Sequence, residues 1–152
     1  MNKTILSTLA YIKKDGKTLM LEKGRGYQTG KFNGLGGKFD AAETPEECVI
    51  REVKEESGLI VNSLKLKGFI SFPNFDNEND WYVFIYIVDD FSGELIESDE
   101  GKLHWIDDDK VLEQNIWPGD KVFIPWLDQN KIFSAKFIYK AGEFIDYEVF
   151  FY

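Results

Sequence analysis

The sequence predicts one mixed α/β domain spanning residues 1–152, with few helices. Three observations carry that expectation. The length suits one substantial core, and 43% hydrophobic against 30% charged residues is a globular balance. Apolar stretches of β-type composition recur along the chain, and aromatic residues reach 16%, enough to fill a core and to stack on a flat ligand. One segment, residues 45–57, carries both start and stop signals of a helix. No repeat, linker or low-complexity segment interrupts this pattern.

The elements follow in order. Lys3 precedes the apolar stretch Ile5 to Ile12, which loosely resembles a secretory signal. Ser7, Thr8 and Tyr11 dilute it and no small-x-small cleavage site follows, so it reads as a strand. Asp15-Gly16 signals a hairpin turn into a second strand through Leu19 to Leu21. Gly24, Gly26, Gly30, Gly34, Gly36 and Gly37 mark a loop or a set of tight turns. Thr44 suits an N-cap, Pro45 the first helical position, Glu47 a capping box and Gly58 the C-cap of a helix over 45–57. Leu64 to Phe72 and Trp81 to Val88 read as strands. Asp107 to Gln114 reads as a short helix whose N-terminus Asp107-Asp108-Asp109 caps and charges. Asp120 to Gln129 reads as another, interrupted by Pro125. Phe133 to Tyr139 and Phe144 to Tyr152 read as strands joined by a turn over residues 140–143.

The net charge of −9 argues against binding a nucleic acid polymer, because affinity for a phosphate backbone rests on Lys and Arg. A phosphorylated small molecule stays open if a metal ion or a local basic group offsets the repulsion. No apolar run approaches the ~20 residues of a transmembrane helix. Cys48 is the only cysteine, so no intrachain disulfide forms, which fits a cytoplasmic location.

Glu52, Glu55 and Glu56 stand at i, i+3 and i+4 and share one helix face. Alone, the trio reads either as a solvated acidic face or as a hard-cation site, because Mg²⁺ takes oxygen ligands. Its surroundings decide. Gly37, five residues, Glu43, seven residues, Arg51-Glu52-Val53, one residue, Glu55-Glu56, one residue and Gly58-Leu59 resemble the Nudix box of the MutT/Nudix hydrolases, G-x5-E-x7-R-E-U-x-E-E-x-G-U with U aliphatic. Every fixed position is met over 23 residues.

The resemblance implies a Nudix α/β/α sandwich with a mixed β-sheet and a loop-helix-loop. It also implies a Mg²⁺-dependent diphosphatase, with Mn²⁺ as a substitute. It implies that the Gly37 carbonyl and Glu52, Glu55 and Glu56 ligate metal, and that Glu43 and Arg51 pair to fix the loop. Glu100 is implied as a further ligand or as the base that takes the water's proton. Val49 and Val53 would anchor the helix on the sheet. Cys48 reads as a packing residue, since nothing nearby would activate a thiol. His104, the only histidine, reads as a strand residue.

Phe32-Asn33-Gly34-Leu35-Gly36-Gly37-Lys38, Glu97-Ser98-Asp99-Glu100, Trp105 and Trp117-Pro118-Gly119-Asp120 resemble the subgroup that hydrolyses oxidised purine nucleoside triphosphates. That resemblance implies 8-oxo-dGTP as substrate and a monomer or weak dimer that acts on a small nucleotide, away from membranes. Asn33 and Asp120 would face the purine from two sides and Trp117 would stack on it. Thr8 and Lys23 would line the nucleoside and phosphate pocket, with Tyr27, Phe72 and Trp81 as walls. Relatives often carry two adjacent carboxylates after Trp-Pro. Gly119 departs from that pattern. Another nucleotide substrate of the same superfamily, such as ADP-ribose, and an inactive binding module remain as alternatives.

Overall fold

The computed structural model describes residues 1–76 and 78–152. β1 (Lys3–Lys14) turns into β2 (Lys17–Lys23) through Asp15 and Gly16. Both residues have positive φ, 52° and 75°, as a two-residue hairpin turn requires. β1 also pairs in parallel with β5 (Asn79–Ser92), from Lys3↔Asn79 to Ile12↔Val88. β5 pairs antiparallel with β4 (Ile60–Phe72), which in turn pairs in parallel with β7 (Phe133–Lys140). The hairpin from β7 to β8 (Glu143–Phe151) closes that edge. At the other edge β2 takes both β3 (Phe32–Asn33) and β6 (Gly101–Asp107). The sheet is mixed, as expected.

Alternation along β1 and β2 gives the sheet two apolar faces. Ala10, Ile12, Leu19 and Leu21 point to one, against Val49 and Val53 of helix α1 (Pro45–Ser57). Tyr11 and Met20 point to the other, against Phe123 of helix α2 (Pro118–Phe123) and the 3₁₀ turn Ile124–Asp128. Both valines of α1 are fully buried. At roughly 1.5–3 kcal/mol per buried side chain they hold the acidic helix on the sheet.

α1 begins and ends as its caps dictate. The Glu47 amide donates to Thr44 Oγ1 at 3.1 Å, and Glu47 Oε1 accepts from the Thr44 amide at 2.9 Å. Gly58 ends the helix with φ of 81°, and its amide donates to the Lys54 carbonyl.

The strands differ from expectation where bulges or context override the pattern. β4 starts at Ile60, four residues before Leu64, because register shifts between Val61 and Gly68 break its alternation. β5 runs past Val88 through Asp89 and Asp90, poor strand formers held by β4. Asp107 to Gln114 divides: Asp107 closes β6 and a 3₁₀ turn covers Asp108–Glu113. The expected aspartate cap is corrected, since Asp107 makes no capping bond. Asp108 instead accepts from Thr18 Oγ1 at 2.7 Å, and Asp107 pairs with Lys17 at 2.9 Å, tying the turn to the first hairpin. The segment 120–129 divides as well, because Pro125 lacks the amide proton that would continue α2.

Candidate active site

The glycine loop after β3 reaches the site by lying on β1. The Leu35 amide donates to the Ala10 carbonyl at 2.9 Å, and the Thr8 amide donates to the Gly37 carbonyl at 2.9 Å. An added Cβ at Gly36 would lie 2.0 Å from the Thr8 carbonyl oxygen, so only glycine permits this approach. At Gly37 the added Cβ would meet the Glu52 carboxyl at 2.7 Å. The loop backbone and the acidic face of α1 are therefore in direct contact.

Arg51 organises that contact. Its Nε and Nη2 grip both oxygens of Glu43 at 2.7 and 2.9 Å, and Nη2 also donates to the Lys38 carbonyl at 3.0 Å. Nη1 donates to Glu52 at 2.8 Å and to Glu55 at 3.3 Å. The fork geometry of guanidinium suits this bidentate grip. Paired with Arg51, the Glu43 carboxyl is held below its ordinary pKa. Glu52 titrates above its ordinary value, because burial outweighs its bond to Arg51.

Glu56 is only 5% exposed, and its Oε1 accepts from the Gly36 amide at 2.8 Å. Burial pushes its pKa up to about 8. Lys23 and the Gly36 bond pull it down, while Glu52 and Glu100 push it further up. Glu100 faces Lys23 Nζ at 3.9 Å and Arg25 at 3.7 Å. Glu52, Glu56 and Glu100 thus bear on one another electrostatically across the Gly36-Gly37 loop.

That donor set is all carboxylate, the chemistry a hard divalent cation takes. Among the described residues no three acidic side chains already converge on one point. Arg51 supplies the positive charge to Glu52 and Glu55 instead. Glu55 keeps 58% of its side chain exposed. The Gly37 carbonyl accepts from the Thr8 amide at 2.9 Å and from Ser7 Oγ at 3.1 Å, which holds the loop on β1.

Beside this cluster lies a cleft of about 320 Å³. Thr8, Lys23, Tyr27, Asn33, Gly37, Phe72, Trp81, Trp117 and Asp120 all line it, so every residue expected to bind substrate is brought to one place. Tyr27 lines the cleft while 77% exposed. The Thr8 hydroxyl is taken by Cys48 Sγ at 3.2 Å. Trp117 presents its face to Lys31 Nζ at 5.1 Å and packs T-shaped with the rings of Phe75 and Tyr139.

Asn33 Nδ2 reaches Gln28 Oε1 at 3.4 Å. Asp120 is 9% exposed, and burial pushes its pKa up to about 7 against the pull of Lys31. Among the described residues its carboxyl has no hydrogen-bond donor. The Trp81 indole nitrogen is likewise buried and unpartnered. The sequence reading missed Phe75, Gln28 and Tyr139 in the lining. Tyr139 was findable by alternation, since Phe133, Ala135, Phe137 and Tyr139 all point inward from β7. Gln28 and Phe75 lie in loops with no periodic signal. His104 stays outside the cleft, paired with Glu22 at 2.9 Å. Cys48 is fully buried, and desolvation raises its thiol pKa, as a packing residue requires.

Comparison with known proteins places this geometry. A model of the NUDIX domain matches residues 4–127. An oxidized purine nucleoside triphosphate hydrolase of Danio rerio is 36% identical over 140 residues, covering 92% of this chain and 90% of that protein. The Mus musculus protein of the same description is 34% identical, covering 95% and 93%. The crystal structure of a mutator MutT protein from Bacillus halodurans superposes with a TM-score of 0.85 at 30% identity, covering 95% of this chain and 97% of that one.

Proposed function

The chain belongs to the Nudix family of hydrolases, and on that premise we propose that it converts 8-oxo-dGTP to 8-oxo-dGMP and pyrophosphate with Mg²⁺. Members of the family act on small nucleotides and use divalent metal ions. The observation that carries the substrate class is that Asn33, Trp117 and Asp120 line the same cleft as Lys23, Gly36 and Gly37, with Glu56 held on the Gly36 amide. Relatives described as acting on oxidised purine nucleoside triphosphates align over nearly their whole length.

Each residue takes its part from its place. Trp117 offers a ring face for the base, and Asn33 and Asp120 offer polar atoms to its edge. Lys23 faces the phosphates and repels the metal less than a surface lysine would, because Glu100 stands opposite it. Glu52, Glu55 and Glu56 would hold the metal, with the Gly37 carbonyl and Glu100 as further oxygen donors. Divalent ions bound there would neutralise the triphosphate and lower the pKa of a water for attack on the β-phosphorus. Arg51 keeps the loop and helix in register through Glu43 and directs Glu52. The ions, rather than surface cations, let a protein of net charge −9 hold a polyphosphate. We further place it in the cytoplasm as a monomer or weak dimer. The free thiol of Cys48 fits a reducing compartment.

Pyrophosphate release measured with Mg²⁺ across 8-oxo-dGTP, dGTP, 2-hydroxy-dATP and ADP-ribose tests this reading. The expected order puts 8-oxo-dGTP first in kcat/KM. A preference for ADP-ribose, or no turnover of any substrate, would overturn it.

A further inference from the structure

Position 119 and position 139 share one space. The Gly119 amide donates to the Tyr139 hydroxyl oxygen at 2.7 Å. A Cβ on Gly119 would lie 2.6 Å from that oxygen and 2.8 Å from the Phe137 ring. The phenol therefore sits where a side chain at 119 would begin, one residue from Asp120. Its ring is fixed by edge contacts to Trp117 at 5.9 Å and Phe75 at 5.3 Å. Tyr139 is 6% exposed and lines the cleft.

With the amide of Gly119 filling one lone pair, the hydroxyl still has its proton to give. Among the described residues no group accepts it. We propose that Tyr139 is a specificity-determining residue, whose hydroxyl donates to a carbonyl oxygen on the base edge and so selects oxopurines over aminopurines. This rests on the reading that the cleft holds the base of a purine nucleotide.

The chemistry follows from the two bases. Guanine-type bases present the O6 acceptor where adenine-type bases present an N6 amino donor. A fixed donor pairs with the first and meets a second donor in the other. A site built on such a bond rejects the analogue that leaves it unpaired. The Tyr139 pKa is raised to about 12 by burial, with Asp120 adding to the shift, so the hydroxyl keeps its proton at neutral pH. Asp120, as acid or carboxylate, can complement either base edge. Tyr139, whose oxygen already accepts from the Gly119 amide, is left with its proton to offer, and it therefore sets the preference.

The test is Tyr139→Phe, which keeps the ring contacts and removes the hydroxyl. The ratio of kcat/KM for 8-oxo-dGTP over 2-hydroxy-dATP should fall about three- to tenfold, the usual consequence of deleting one neutral hydrogen bond. A merely structural role would lower both values together and leave the ratio alone, and an unmoved ratio overturns the inference. If Tyr139→Phe fails to fold, Gly119→Ala serves, since its methyl displaces the hydroxyl while Tyr139 remains. The same fall in ratio is expected there. Titration calorimetry of 8-oxo-dGMP against Tyr139→Phe should show a similar loss of affinity. Should wild-type enzyme turn over neither nucleotide, the reading of the cleft fails and the inference with it. Should it turn over 8-oxo-dGTP with an unmoved ratio in the variants, only the inference fails.

Discussion

Replacing Glu56 by glutamine should destroy activity and, without metal, stabilise the fold above neutral pH. The carboxyl is almost wholly buried, and its pKa rises from 4.5 to about 8. A raised carboxyl pKa means that the native state holds the proton more tightly than the unfolded chain does. Its contribution to stability is complete below pH 4.5 and is lost as pH rises toward 8. At about 1.4 kcal/mol per pKa unit the loss is on the order of 5 kcal/mol as an upper bound. Glutamine keeps an oxygen for the Gly36 amide and carries no charge, so it escapes this penalty. For a domain of this size 1 kcal/mol is worth roughly 2–4 °C. In EDTA the variant and wild type should therefore melt together near pH 5 and diverge by roughly 10 °C at pH 9, the variant higher. With Mg²⁺ at neutral pH, kcat should fall by ~10²-fold or more, as for loss of a positioned base or metal ligand. Parallel melting curves across that pH range would refute the electrostatic account. A variant keeping half of wild-type kcat would refute the role of Glu56.

Two further outcomes follow from the same site. Millimolar Mg²⁺ without substrate should raise the thermal midpoint over that in EDTA, because a ligand bound only by the native state stabilises it by mass action; superimposed scans would count against a metal site at Glu52 and Glu56. Asp120→Ala should lower kcat/KM for 8-oxo-dGTP by roughly 10–100-fold, the scale of a charge-assisted hydrogen bond, and an unaffected variant would move base recognition away from this carboxyl.

What the sequence makes legible is whatever is written locally. The capping box of α1, its terminal Gly58 and the turn at Asp15-Gly16 are each specified by neighbours within four residues, and each forms as read. The grip of Arg51 on Glu43 is likewise a matter of one helix and the loop before it. The early start of β4 is not local, since its bulges exist only against β5. Nor is the fate of the Gly37 carbonyl. Spacing places Gly37 beside the acidic helix, but only the pairing of the loop with β1 decides where its oxygen points. Asp107 to Asp109 show the same limit, because a helix cap and a tie to a distant hairpin look identical in one dimension.

Glu56 and Asp120 are the two most perturbed carboxyls, and burial displaces both in the same direction. Glu56, near pH 8, lies under a glycine loop with two other acids bearing on it, so its charge is costly until a cation arrives. On the proposed reading, relief of that cost is what favours metal binding here. Asp120, near pH 7, has no acidic neighbour among the causes of its shift and a lysine pulling the other way. It stays poised between donor and acceptor in a wall of rings. A carboxyl so poised reads hydrogen-bond polarity poorly by itself, because it adapts to either partner. On the proposed reading, discrimination of the base rests on the Tyr139 hydroxyl, whose oxygen already accepts from the Gly119 amide and whose proton is left to donate.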